Sequence, residues 1–414
     1  MHWFTYKNRE LYAEDTPLAA LAEQYGTPLY VYSRATLDRH ITSIDGAFEG
    51  IPHLTCYSAK ANASGAILRL FAERGLGADI VSGGELFRAL RAGIPASRIV
   101  YSGVGKTPQE IEYALRANIL MFNVESESEL RTINGIAGRM RVKAPVSFRI
   151  NPDVDPKTHP YISTGLKENK FGVPHSEALR IYSEAACMPN VVVVGIDAHI
   201  GSQLIDVTPF REAAERLAGL IGEIRALGID IRFVDIGGGL GIRYNREEPP
   251  EPAEWAKMII PAMRGTGCTL ILEPGRSMVG NTGVLLTRVL YIKTNDEKTF
   301  VVVDAGMNDL ARPSLYGSYH AILPVMERMA TLRTVDVVGP ICESGDFLAK
   351  DRELPLPKEG DFLAVMSAGA YGMSMASNYN SRPRAAEVMV SGSSAELITE
   401  RETWEDLVAR EKNK

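Results

Sequence analysis

From about residue 50, short apolar runs alternate with longer stretches of mixed polarity. The runs are Leu54–Ser58, Ala78–Ser82, Arg98–Ser102, Ile119–Val124, Pro145–Ile150, Val192–Ala198, Arg232–Ile236 and Thr269–Glu273. Amphipathic segments lie between most of them, among them Gly84–Ala92, Pro108–Ala117, Ser126–Gly138 and Pro209–Leu227. In the last, Phe210, Ala213, Leu217, Leu220, Ile221 and Ile224 recur near helical spacing, which puts them on one face. Strand followed by helix, repeated, predicts parallel βα units, and eight units are the number that closes a (β/α)8 barrel. An open doubly wound sheet is the other architecture this rhythm permits. The barrel is assigned residues 34–280.

After about residue 280 the rhythm changes. Val284–Lys293, Phe300–Asp304, Arg333–Val338, Asp361–Met366 and Ala385–Val390 read as strands with no long helices between them. That pattern predicts an antiparallel, barrel-like β domain over residues 281–414. The first 33 residues, with strand-like Trp3–Tyr6 and Leu29–Tyr32, are expected to pack with it. The fold class is therefore α/β, a TIM barrel plus a β domain.

Composition narrows the function. A net charge of −6 over 414 residues argues against nucleic acid as a partner. No run of eighteen apolar residues suggests a membrane span, and the start lacks a charged region followed by an apolar one, so the expected location is the cytoplasm. The four cysteines, Cys56, Cys187, Cys268 and Cys342, form no Cys-x-x-Cys pair, and no His-x-x-x-His pair occurs, so no metal site is expected.

Active sites of such barrels lie at the C-terminal ends of the strands. Lys60 follows the first, in Tyr57-Ser58-Ala59-Lys60-Ala61-Asn62. A lysine at a barrel mouth, among small residues, can hold an aldehyde cofactor as a Schiff base. Asp79 lies on the second run, and Arg149, Asn151 and Asp153 on or after the fifth. His199 and then Gly201-Ser202-Gln203 follow the sixth, where a flat imidazole either completes the core or stacks on an aromatic ring. Gly237, Gly238 and Gly239 follow the seventh and suit a phosphate, because backbone N–H groups without side chains can approach an anion. Gly-Gly-Gly-Leu-Gly-Ile does not satisfy G-x-G-x-x-G, which sets a dinucleotide fingerprint aside. Glu273, Pro274, Gly275 and Arg276 follow the eighth. Glu273 suits a pyridinium nitrogen, and Arg276 and Arg312 suit carboxylates. Beyond the barrel, Cys342 in Cys342-Glu343-Ser344-Gly345-Asp346 is either a proton donor or an inert thiol, and Tyr371 stands between small residues.

Together these segments resemble the fold-type III decarboxylases that use pyridoxal phosphate, the group acting on ornithine, arginine and diaminopimelate. Further matching segments are His159–Gly165, Lys170-Phe171-Gly172-Val173 and Gly369–Gly372. The resemblance spans nearly the whole chain, shows no departure at a position the family uses, and is strongest to the branch acting on diaminopimelate. It implies conversion of meso-2,6-diaminopimelate to L-lysine and CO2, the last step of lysine synthesis, with pyridoxal 5'-phosphate as cofactor. It implies that Lys60 binds the cofactor covalently and that His199 stacks on its ring. Asp79, Ser202, Gly237–Gly239, Glu273–Arg276 and Tyr371 would hold the rest of it. Arg276, Arg312, Tyr316, Glu343 and Tyr371 would contact substrate, and Cys342 would deliver a proton. Cys342 and Glu343 would come from the second subunit of a homodimer, and Lys157–Gly165 would be a loop over the site. The alternatives are a decarboxylase for ornithine, arginine or carboxynorspermidine, an amino-acid racemase, and a non-catalytic regulatory relative.

Overall fold

The structure is a computed structural model that describes residues 2–154 and 170–412. The expected Lys157–Gly165 loop and the His159–Gly165 motif lie outside the described residues. The chain divides into two compact units, one of Met1–His40, Arg243–Glu247 and Met278–Lys414, the other of Ile41–Ile242 and Glu248–Ser277.

The second unit is a closed parallel barrel. Its strands, numbered here one to eight, are His53–Ser58, Gly77–Ile80, Ile99–Tyr101, Met121–Val124, Ala144–Asn151, Val191–Asp197, Phe233–Asp235 and Thr269–Leu272. Strand eight pairs with strand one, Leu270 against His53 and Leu272 against Thr55, and this closes the ring. Each predicted apolar run became a strand, shifted by at most two residues at either end. Glu273 falls just outside its strand, where its N–H donates to the Gly237 carbonyl at 2.8 Å.

Local chemistry sets the helices. Thr107 caps Pro108–Ala117 in a reciprocal capping box with Glu110, proline takes a first-turn position, and Asn118 closes the helix in the left-handed region. Thr208–Ala226 buries the predicted apolar face, Phe210, Ala213, Leu217, Leu220, Ile221 and Ile224, together with Ala214. Truncating one of its leucines to alanine should remove about 2–5 kcal/mol. Trp255, fully buried on Pro252–Arg264, meets Phe48 and Phe210 edge-on at 5.1 and 5.6 Å.

The other unit is built on a mixed sheet. Leu29–Ser33 lies inside it, antiparallel to Gly283–Thr294 and parallel to Ala386–Ser391. Leu332–Val338 runs parallel to Thr299–Val303 and antiparallel to Phe347–Pro355. Two pairings in the expected antiparallel domain are therefore parallel. Both join strands far apart in sequence, so no hairpin dictates their direction. The N-terminal segment shares this core. Phe4, Leu11, Leu18, Leu21, Leu29 and Val31 pack with Val284, Leu286, Val388 and Val390. Phe4–Lys7 and Glu10–Ala13 form a hairpin whose turn residues, Asn8 and Arg9, both have positive φ. Among the described residues no helix is long and apolar enough to cross a membrane.

Candidate active site

The inward faces of the barrel strands change chemistry along their length. Cys56, Val100, Met121, Val194 and Ile271 form an apolar layer. Two residues further on, the same faces carry Ser58, Ser102, Asn123 and Glu273, all buried. Strand two adds Asp79, strand five Ser147 and Arg149, and strand seven Asp235. On strand six, an irregularity between Val193 and Gly195 shifts the alternation by one and brings Asp197 to the polar level.

These groups are interlocked. The Ser58 hydroxyl stands 2.7 Å from Asp79 Oδ2 and 3.1 Å from the Glu273 carbonyl. Lys60 Nζ donates to Asp79 Oδ2 at 3.1 Å; the lysine side chain is 37% exposed and the aspartate wholly buried. Asn123 Nδ2 donates to Ser102 Oγ at 3.1 Å and to Asp235 Oδ2 at 3.2 Å, while Ser147 donates to Asn123 Oδ1 at 2.5 Å. Ser102 donates to Glu273 Oε1 at 3.2 Å. Carboxylate oxygens of Asp197, Asp235 and Glu273 lie within 4.8 Å of one another. Three like charges so close and so dry cannot all persist. Burial first, then the charge of Asp79, pushes the Glu273 carboxyl up to about 7. Burial and the charge of Glu273 push Asp197 and Asp235 well above the usual carboxylate range.

His199 sits at the mouth and is partly buried. Desolvation, reinforced by the positive charges of Arg149 and Lys60, holds its pKa well below the ordinary value, so the imidazole is neutral. Gly238 N–H donates to Nδ1 at 3.3 Å, which leaves the proton on Nε2.

The glycine turn is tighter than the sequence implied. A Cβ on Gly237 would strike the His199 ring, one on Gly238 the Glu273 carbonyl, and one on Gly239 the Gly201 carbonyl. Gly237 and Gly239 also have φ of 66° and 110°. Packing against neighbouring strand ends therefore demands glycine here before any ligand is considered. Gly237 N–H already donates to Asp235 Oδ1 at 2.8 Å. Beside the turn, Arg276 donates to Ser202 Oγ from Nε at 3.4 Å and from Nη2 at 3.3 Å. A hydroxyl whose oxygen accepts from a guanidinium keeps its own O–H for an anion.

The remaining predicted residues belong to the β unit. Arg312, 5% exposed, opens the short helix Arg312–Tyr316, and Tyr316 is half-buried. Cys342 and Glu343 are exposed, on a loop held by Cys342 N–H donating to Asn380 Oδ1 at 2.7 Å. Tyr371 has φ of 56°, a conformation bulky residues rarely adopt and one found where strain serves function. A cleft of about 580 Å³ in this unit, lined in part by Tyr6, Arg9, Arg328 and Arg352, contains none of the predicted residues.

Sequence reasoning passed over Asp197, Asp235, Asn123 and Ser102. Three of the four carried a signal: Ser102, Asn123 and Asp235 lie at a strand's C-terminal end, two residues past an apolar inward position.

The donor set suits a phosphorylated pyridine aldehyde. Lys60 is an amine beside a buried acid, Asp79 Oδ1 is buried without a hydrogen-bond partner among the described residues, and Glu273 is a buried acid of the kind that would suit a ring nitrogen. Ser202 and Arg276, already bonded to each other, are donors that would suit an anion. Residues 34–280 match the family model described as the pyridoxal-binding domain of pyridoxal-dependent decarboxylases. The diaminopimelate decarboxylase of Vibrio cholerae is 52% identical over 413 residues, 99% of each chain. The solved diaminopimelate decarboxylase of Helicobacter pylori, complexed with L-lysine, is 48% identical with a TM-score of 0.92, covering 95% of this chain and 98% of that one. That of M. jannaschii, also with L-lysine, is 42% identical with a TM-score of 0.93, covering 99% and 98%.

Proposed function

We infer that this chain, which belongs to the pyridoxal-dependent decarboxylase family, converts meso-diaminopimelate to L-lysine and CO2, the last step of lysine synthesis. Its cofactor is pyridoxal 5'-phosphate, which when bound accepts the electron pair left as the carboxylate departs. The observation that carries the reading is Lys60 Nζ 3.1 Å from buried Asp79, above an interlocked carboxyl floor.

Each residue then has a task. Lys60 is the amine that would hold the cofactor through its aldehyde carbon. Asp79 fixes Nζ in place. Glu273 holds the ring nitrogen, and its proton sharing with Asp235 lets it meet a protonated ring as a carboxylate. His199, neutral and flat, covers one ring face. Ser202, Arg276, Tyr371 and the turn Gly237–Gly239, with Pro274 and Gly275 shaping the facing loop, hold the phosphate. Arg276 and Arg312 would grip the distal carboxylate of the substrate and Glu343 its distal amine, with Tyr316 and Tyr371 as further substrate contacts. Cys342 delivers a proton to the carbon that lost the carboxylate. Cys342 and Glu343 are exposed on the single chain, which supports their service to the site of a second copy in a homodimer. The setting is the cytoplasm.

The test is CO2 release from meso-diaminopimelate, with L-ornithine and L-arginine alongside. Release from the first alone, with L-lysine formed, is the expected result. Release from ornithine instead would keep the cofactor chemistry and overturn the arginine grip, since ornithine offers no distal carboxylate to two buried guanidiniums.

A further inference from the structure

Arg312 is held on three sides within the β unit. Its Nη1 lies 2.9 Å from His320 Nε2, its Nη2 donates to Ser318 Oγ at 3.3 Å, and its guanidinium carbon stands 4.5 Å from the centre of the Tyr244 ring. The Tyr244 and His320 rings meet edge-on at 5.2 Å. His320 is fully buried, and its Nδ1 lies 2.8 Å from the Met366 carbonyl. A guanidinium is always charged and can only donate, so Nε2 must present its lone pair. The single proton of a neutral imidazole therefore sits on Nδ1 and goes to Met366. Arg352 Nη1 pins the His320 backbone by donating to its carbonyl at 2.8 Å.

We propose that His320, with Tyr244, is the positioning device that sets the plane of the Arg312 guanidinium and so gives the enzyme its selectivity for a substrate with a distal carboxylate. The proposal rests on the reading of Arg312 as a carboxylate ligand. A bidentate grip needs the fork in one plane and one rotation, and a loose arginine retains charge but loses that geometry. Tyr244 fixes the plane from its face, and His320 fixes the rotation from its edge. Neither touches the carboxylate. Each acts through Arg312.

The product L-lysine keeps the distal carboxylate, and 1,5-diaminopentane is the same skeleton without it. Calorimetric titration of the holoenzyme with each compound isolates the carboxylate. His320→Phe keeps a ring against Tyr244 and removes the acceptor. It should weaken L-lysine at least tenfold and leave the diamine within twofold, and KM for meso-diaminopimelate should rise far more than kcat falls. His320→Gln returns an acceptor to the Nε2 position and should recover most of the loss. Tyr244→Leu, which removes only the stacking face, should show the same selective pattern and is decisive if His320→Phe does not fold. Equal weakening of both compounds, or of neither, overturns the proposal while wild-type turnover leaves the activity standing. A wild-type enzyme that releases no CO2 from meso-diaminopimelate overturns both.

Discussion

The carboxyl floor of the barrel and the Cys342–Asp346 loop both present acids and a proton carrier, but they are built in opposite ways. The floor residues are buried, and Ser102, Asn123, Asp235 and Glu273 are bonded to one another across strands of one chain. In the loop, Asp346 is bound by the backbone N–H groups of Ile341 and Met307 at 2.6 and 2.7 Å, while Cys342 and Glu343 face solvent. A buried group has its protonation set by its neighbours, whereas an exposed one is unfinished until something covers it. The floor is suited to holding a cofactor for the life of the protein, and the loop to a group that must meet and release a substrate.

The sharpest way to break this contrast is Lys60→Ala. It should lower CO2 release on the order of a thousandfold and abolish the absorbance of the covalently held cofactor; retained turnover would sink the mechanism. Cys342→Ala should follow, with kcat down about a hundredfold and cofactor absorbance intact. Mixing the two inactive variants then reads the loop directly. Activity should return in part when subunits exchange, because one hybrid site would combine an intact Lys60 with an intact Cys342. Arg312→Lys keeps the charge and loses the fork, so KM should rise roughly ten- to a hundredfold with a smaller change in kcat.

The smallest effect concerns the floor alone. An unfolded glutamate loses its proton near pH 4.5, whereas Glu273 in the fold does so at about 7. Between these values the unfolded chain binds fewer protons, so this group lowers stability as pH rises and has its full effect above 7. Glu273→Gln in the cofactor-free protein should therefore gain on wild type across that window. The difference in Tm should widen by roughly 2–4 °C between pH 5 and pH 7.5. A difference independent of pH would mean that Glu273 titrates normally.

The barrel was legible because its strands are buried on both faces and read as apolar runs, as Met121–Val124 does. Phe347–Pro355 and Ser394–Thr399 went unread, since most of their residues are at least partly exposed and they carry charges such as Lys350, Asp351 and Glu396. Lys60, Glu273 and Arg276 could be found from the residue after each strand, but Asp197 could not. Its inward aim depends on the irregularity before Gly195, which no period of two reveals. The glycines were legible as residues, but one cause was not: a Cβ on Gly238 or Gly239 would meet the Glu273 or Gly201 carbonyl, so packing also demands glycine there. Tyr244 had no signal, because it reaches Arg312 from a distant stretch of chain, and His320, eight residues beyond Arg312, stands in no motif.

The closing of strand eight on strand one has a consequence for the order of synthesis. Ser58 and the Glu273 carbonyl it meets are 215 residues apart, and Ser58 N–H donates to the Pro274 carbonyl at 3.2 Å across the same seam. A ribosome releases the lysine long before the glutamate. Until residue 276 has emerged, the strand bearing Lys60 is an open edge and the floor has no last carboxyl. A chain ended before strand eight therefore lacks Glu273 and Arg276 and leaves strand one without the partner that closes the ring.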